Sequence, residues 1–171
     1  LSYDDRIILF DGTHTHTSID FTTNQVFASG QAGDVAYMFD SAGDDQMVAR
    51  PESTVITQSD RQTTAQGFAQ SFAYASTGHD TAEFYDTAGN NDYNGYMDRA
   101  VMKGDGIFLW GRGFDQMAGY FSSGSDRALM FDSEADEQYV SGANDTTMSN
   151  ESATNRVVGY SSIYAYSDGG T

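Results

Sequence analysis

The 171-residue sequence has no cysteine, one proline, one tryptophan and one lysine, and each scarcity removes a class of explanation. Without cysteine there are no disulfides, no thiolate metal ligands and no cysteine nucleophile. Stability then has to come from packing, hydrogen-bonded ladders or bound ions. The single proline, Pro51, falls in a variable stretch and interrupts nothing. No apolar run approaches the roughly 18 residues that span a bilayer, which argues against membrane insertion, and no signal peptide is visible at the start. Positive charge is also scarce: 8 basic residues against 25 acidic ones give a formal net charge of −17. Such a surface repels phosphate backbones and anionic headgroups, so nucleic acid is a poor partner. There is no Ser-His-Asp motif, no Gly-rich phosphate loop and no HExxH. No window of a dozen residues sustains helical spacing of apolar positions.

What the sequence does contain is a repeat. The segments Asp34-Val35-Ala36-Tyr37-Met38-Phe39-Asp40-Ser41, Asp80-Thr81-Ala82-Glu83-Phe84-Tyr85-Asp86-Thr87 and Asp126-Arg127-Ala128-Leu129-Met130-Phe131-Asp132-Ser133 align at steps of 46 residues. The same step joins Gly67-Phe68, Gly113-Phe114 and Gly159-Tyr160, and then Tyr74, Tyr120 and Tyr166. Asp5-Arg6 matches Asp98-Arg99, and Phe21 matches Phe114, at 93 residues, twice the period plus one. The chain therefore reads as one repeat domain over 1–171, with a partial copy at 1–33 and full copies at 34–79, 80–125 and 126–171. Since Leu1 is not a start methionine, it is read as a segment of a larger secreted protein. The sequons Asn144-Asp145-Thr146 and Asn150-Glu151-Ser152 are compatible with export.

Short runs such as Ala82 to Tyr85, Arg99 to Lys103, Ile107 to Trp110 and Gln116 to Phe121 carry β-branched or aromatic residues between Gly, Asp and Ser breakers. These are strands. An all-β unit of this length, with four or five short strands, fits a parallel β-helix (β-solenoid) with two coils of about 23 residues per repeat. The alternatives are a β-propeller fragment or a β-sandwich, but so few blades cannot close a ring. In the solenoid, Phe68, Phe114 and Tyr160 are expected to stack in one internal ladder and Phe39, Tyr85 and Phe131 in another, with Ala36, Ala82 and Ala128 leaving room beside them.

The turn after the first strand of each copy is rich in Asp, Asn and Gly. Hard cations such as Ca²⁺ take six to eight oxygens, which short-stemmed Asp and Asn around a tight bend can supply. The predicted metal ligands are Asp40, Asp44, Asp45, Asp86, Asn90, Asp92, Asp132 and Asp136. The competing reading is that these residues cap the bend through Asx-turn hydrogen bonds and hold no ion. In these turns alone, the sequence resembles the Asp- and Gly-rich calcium loops of secreted RTX-type β-roll repeats, a resemblance that implies calcium held between coils. The GGxGxDxUx nonapeptide itself is absent.

Two further candidates remain. His14 and His16, two apart on a strand, point to one side and form a weak transition-metal pair that needs a third ligand. Trp110, with Tyr96, Arg99 and Arg112, is the candidate glycan platform, because a ring face stacks on a pyranose while polar neighbours bond its hydroxyls. The alternative for Trp110 is a core filler in one coil. Taken together, the expectation is a non-catalytic, calcium-stabilised, extracellular or cell-surface repeat module for glycan binding, adhesion or surface structure, with a polysaccharide or cell-surface glycan as partner. The alternatives are a β-helical polysaccharide lyase or hydrolase fragment, which would use acidic side chains, and a self-associating filament or surface-layer component.

Overall fold

The structure, a computed structural model, describes residues 6–10, 12–30 and 33–167. Leu1, Asp5 and the ends of the partial and last copies lie outside the described residues. Among the described residues, strands alone make up the regular structure. The partial copy supplies β1 (Arg6–Phe10), β2 (Thr15–Ile19) and β3 (Thr23–Phe27). The next supplies β4 (Val35–Phe39), β5 (Gln46–Arg50), β6 (Ser53–Thr57), β7 (Gln62–Gln66) and β8 (Gln70–Tyr74). The third supplies β9 (Thr81–Tyr85), β10 (Asn91–Tyr96), β11 (Arg99–Gly104), β12 (Ile107–Arg112) and β13 (Gln116–Tyr120). The last supplies β14 (Arg127–Phe131), β15 (Gln138–Ser141), β16 (Asp145–Ser149), β17 (Thr154–Val158) and β18 (Ser162–Tyr166).

These strands form two nine-stranded sheets facing each other, in the orders β18-β14-β10-β11-β12-β8-β4-β1-β2 and β15-β16-β17-β13-β9-β5-β6-β7-β3. The architecture is a β-solenoid whose coils stack through parallel pairs such as β4 with β8, β8 with β12, and β9 with β13. Each copy places one strand on one sheet, a three-strand antiparallel meander on the other, and a last strand back on the first.

That meander changes the coil from the expected 23 residues or so. Parallel partners are 35 residues apart in Val35↔Gln70 and Thr81↔Gln116, and 38 or 39 apart where the last strand of a meander is the neighbour, as in Gln70↔Phe108 and Thr23↔Gln62. Of the five moves from β4 to β9, three cross between sheets. The number is odd, so each copy begins on the sheet opposite its predecessor.

The expected ladders are corrected by this inversion. Phe39 and Phe131 lie on the first sheet and Tyr85 on the second. Each instead stacks on the tyrosine 35 residues away: Phe39 on Tyr74 at 4.9 Å, Tyr85 on Tyr120 at 5.0 Å and Phe131 on Tyr166 at 5.1 Å between ring centroids. Phe68 and Tyr160 sit where the chain crosses from the second sheet to the first, whereas Phe114 sits at a crossing of the opposite sense. They occupy opposite edges and form no common ladder.

Alternation along the strands sorts side chains between a core and an outer face. The core is built from small and adaptable residues: Ala36, Ala49, Ala65, Ala73, Ala82, Ala100 and Ala128 against Met38, Met47, Met102, Met117, Met130 and Met148. Tyr93 crosses this core. Its hydroxyl meets Asn155 Oδ1 at 2.5 Å, and Asn155 Nδ2 donates to the Tyr96 carbonyl at 2.5 Å, so the one polar atom of the ring is satisfied. A Cβ on Gly119 would lie 2.5 Å from the Tyr93 ring, which is why that position carries none.

Candidate functional site

The chain leaves the first sheet for the second along one edge, and the Asp-rich turn after β4 lies there. Asp40 ends β4, Asp45 precedes β5, and Asp80 precedes β9, the strand that pairs with β5. The inter-coil pairing brings the three together: one carboxylate oxygen from each lies within 4.8 Å of the others. All are buried, at 1%, 4% and 1% relative exposure.

The junction is hydrogen-bonded around its rim. Asp45 receives the Ser41 amide and hydroxyl, both at 3.2 Å, and Asp80 Oδ1 receives the Asp45 amide at 2.9 Å. Asp80's own amide donates to Asp115 at 2.8 Å. Asp40 differs: both its carboxylate oxygens are buried without a hydrogen-bond partner. The Ser76 hydroxyl and amide both lie close enough to hold its pKa down in part, but neither reaches hydrogen-bond geometry with it, and the hydroxyl is donated to the Ser41 carbonyl at 2.6 Å. Burial first, and then the Asp80 and Asp45 charges, push the Asp40 carboxyl up to about 8. Burial also raises Asp80. A buried carboxylate with no donor is costly unless it takes up a proton or a cation.

The other predicted ligands are placed elsewhere. Asp44 accepts the His79 amide at 2.9 Å, and Asn90 accepts the Ser125 amide at 2.9 Å, each tying its turn to the next coil. Asp86 accepts the Ser122 amide at 2.9 Å. Asp92 points outward and pairs through both oxygens with Arg127, at 3.0 and 2.9 Å. Asp132 and Asp136 sit at the last junction, with Asp136 exposed. Sequence reasoning missed Asp80 because it looked for ligands inside one turn. The signal was present, since an Asp opens every copy.

His14 and His16 are exposed, with ring centroids 6.4 Å apart. They align with the inward-facing Ile107 and Leu109, but β2 ends its sheet and leaves them uncovered. Among the described residues no third ligand joins them.

The outer face of the first sheet carries a continuous aromatic and arginine surface. One row runs Phe39, Tyr74, Arg112, Arg99, Tyr96, Phe131, Tyr166 across seven neighbouring strands, roughly 30 Å at the ordinary strand spacing. Arg99 lies over the Tyr96 ring at 4.0 Å, and Tyr96 stacks on Phe131 at 4.5 Å. The adjacent row begins Tyr37, Phe72, Trp110. Trp110 is half-buried and outward-facing, with its ring 4.9 Å from Tyr74 and 5.9 Å from Phe72, while Leu109 and Gly111 beside it face the core.

Asp98 binds both arginines, at 2.8 Å to Arg99 and 3.5 Å to Arg112. At the strand ends this surface opens into a cleft of about 480 Å³ lined by Phe39, Asp40, Tyr74, Ser76 and Arg112. The four predicted platform residues thus share one face. Phe39 and Tyr74, read from the sequence as a ladder residue and a consensus tyrosine, belong to it as well. The second sheet's outer face has a shorter counterpart, Tyr85 stacked on Tyr120 with Arg50 3.8 Å over the Tyr85 ring, and Thr154, Gln116, Thr81, Gln46, Thr57 and Gln62 form another of its rows.

No family model, curated protein or solved structure matches the chain.

Proposed function

We propose that this chain is a non-catalytic, calcium-stabilised repeat module, secreted or surface-displayed, that binds a polysaccharide along the outer face of its first sheet. The observation that carries this reading is the Phe39–Tyr74 stack with Arg112 beside it, opening the cleft and continuing through Arg99 and Tyr96. Flat rings offer stacking surfaces to sugar rings, and arginines anchored by Asp98 offer fixed donors to hydroxyls. The net charge of −17 repels polyanions, which favours a neutral glycan. Asp40 is the one carboxylate among the cleft-lining residues, whereas an acid and base pair flanking a glycosidic bond needs two.

The test is electrophoresis through gels containing a panel of neutral polysaccharides, with the same polymers assayed for shortened or unsaturated products. The wild-type chain is expected to be retarded by at least one polymer without product, and Trp110→Ala and Arg112→Ala each to weaken retention about tenfold, or ~1.4 kcal/mol. Release of product would replace this reading with the enzymatic one. Retention unchanged in both variants would remove the face from the account.

A further inference from the structure

We propose that the junction of Asp40, Asp45 and Asp80 binds one divalent cation of the calcium class, and that the corresponding junction of Asp86, Asn91 and Asp126 binds none because the Asn91 amide takes the ion's place. The inference deepens the calcium part of the function proposed above and is independent of the glycan part.

Three observations carry it. The first is the donor set: three buried carboxylates with oxygens within 4.8 Å of one another fit one coordination sphere, since twice a Ca–O distance of roughly 2.4 Å is that span. The second is Asp40, whose two buried oxygens lack any hydrogen-bond partner while one of them joins the cluster. Hydrogen bonds within the protein therefore do not account for it.

The third is an internal control, the same backbone junction one copy on. There the Asn91 amide donates to Asp126 Oδ1 at 2.9 Å, as the Asp45 amide does to Asp80 Oδ1 at 2.9 Å. Asn91 Oδ1 receives the Thr87 hydroxyl at 3.0 Å, as Asp45 Oδ2 receives that of Ser41 at 3.2 Å. Gly78 packs against the Gly43 carbonyl as Gly124 packs against that of Gly89. The two frameworks match, and the side chain at the centre differs.

Asn91 Nδ2 sits among acceptors, 3.0 Å from the Thr87 carbonyl, 2.9 Å from the Gly89 carbonyl and 3.5 Å from Asp126 Oδ1. By this match a carboxylate, Asp45, stands at the first junction where this amide stands at the second. Asp45 has no amide hydrogens to offer, and the positive centre that the Asn91 amide provides at the second junction is supplied at the first by an ion among the Asp40, Asp45 and Asp80 oxygens. Asp86 completes the contrast: with the Ser122 amide on its carboxylate it is not left unpaired as Asp40 is. At the last junction Glu137 stands at the central position, bonded by Ser133 Oγ at 2.5 Å and Asn150 Nδ2 at 3.0 Å.

The experiment is calorimetric titration of CaCl₂ into the chelator-stripped 171-residue chain, without glycan, in about 0.15 M salt to screen the acidic surface. The wild-type chain is expected to bind one ion per chain, and millimolar calcium to raise its unfolding midpoint by several degrees. Asp45→Asn is expected to remove both responses while unfolding, without calcium, at or above the wild-type midpoint, because it copies the second junction. Asp40→Asn also removes binding. Asn91→Asp is expected to raise the stoichiometry to two. The proposal is overturned by a wild-type chain that binds no ion above the screened background, or by Asp45→Asn and Asp40→Asn titrating like wild type. Asn91→Asp still binding one ion overturns the role given to the Asn91 amide.

Discussion

At the scale of single residues, the decisive contrast is between carboxyl groups that have donors and Asp40, which is buried without one. Asp44, Asp86 and Asp92 each receive a hydrogen bond, from His79, Ser122 and Arg127, and so serve turns and surface. Asp40 is buried against Asp45 and Asp80, with Arg112 across the cleft, and its carboxyl is raised to about 8. A carboxyl raised in the folded state binds its proton more tightly there than in the unfolded chain. Its stabilising contribution is therefore complete below about pH 4 and is lost as the pH climbs toward about 8. In chelator, the unfolding midpoint is expected to fall over that window. Self-repulsion of an acidic chain acts in the same direction, so Asp40→Asn is the control: it should flatten the slope. Scanning calorimetry at half-unit pH steps measures this, and equal slopes in both proteins would contradict the assignment.

At the scale of elements, the strands were legible because breakers bound them: β9, β11, β12 and β13 fall within two residues of the runs read from the sequence. The ladders were not legible. A repeat spacing reports which residues are equivalent, whereas stacking depends on how many times the chain changes sheet between them. Nothing in Phe39, Tyr85 or Phe131 alone shows that three crossings intervene. The same gap hid Asp80, whose place in the junction is fixed by the pairing of β9 with β5. The recurrent Gly before each Phe or Tyr has a structural reason that the period flagged without explaining. Gly113 has φ +87°, and a Cβ there would lie 2.9 Å from the Ala75 carbonyl of the preceding coil. Gly106, in the β11–β12 hairpin, has φ +79° and open space around it. Gly106→Ala is expected to cost only the left-handed backbone, about 1–2 kcal/mol. Gly113→Ala adds the clash and should cost more, a difference that denaturant titration of the two variants resolves. Equal losses would mean that the coil contact carries no weight.

At the scale of the whole molecule, alternate copies face opposite ways, so their chemical roles are not evenly shared. The meander of the third copy, β10 to β12, lies on the first sheet and supplies Tyr96, Arg99, Trp110 and Arg112, whereas the meanders of its neighbours lie on the second. That is how the first face gains the longer aromatic and arginine surface, while the second keeps a shorter one, Tyr85 stacked on Tyr120 with Arg50 over it, beside a row of Thr and Gln. The sequence marked Trp110 by its departure from the other copies. It did not reveal that Phe39 and Tyr74, from the preceding copy, would complete the same surface. The central claim is that this face, and not its opposite, meets the ligand. Trp110 is the chain's single tryptophan, so its fluorescence reports on that face alone. Titration with a polysaccharide that retards the protein should shift and saturate the emission in step with binding. Binding that leaves the emission unchanged throughout would contradict the account.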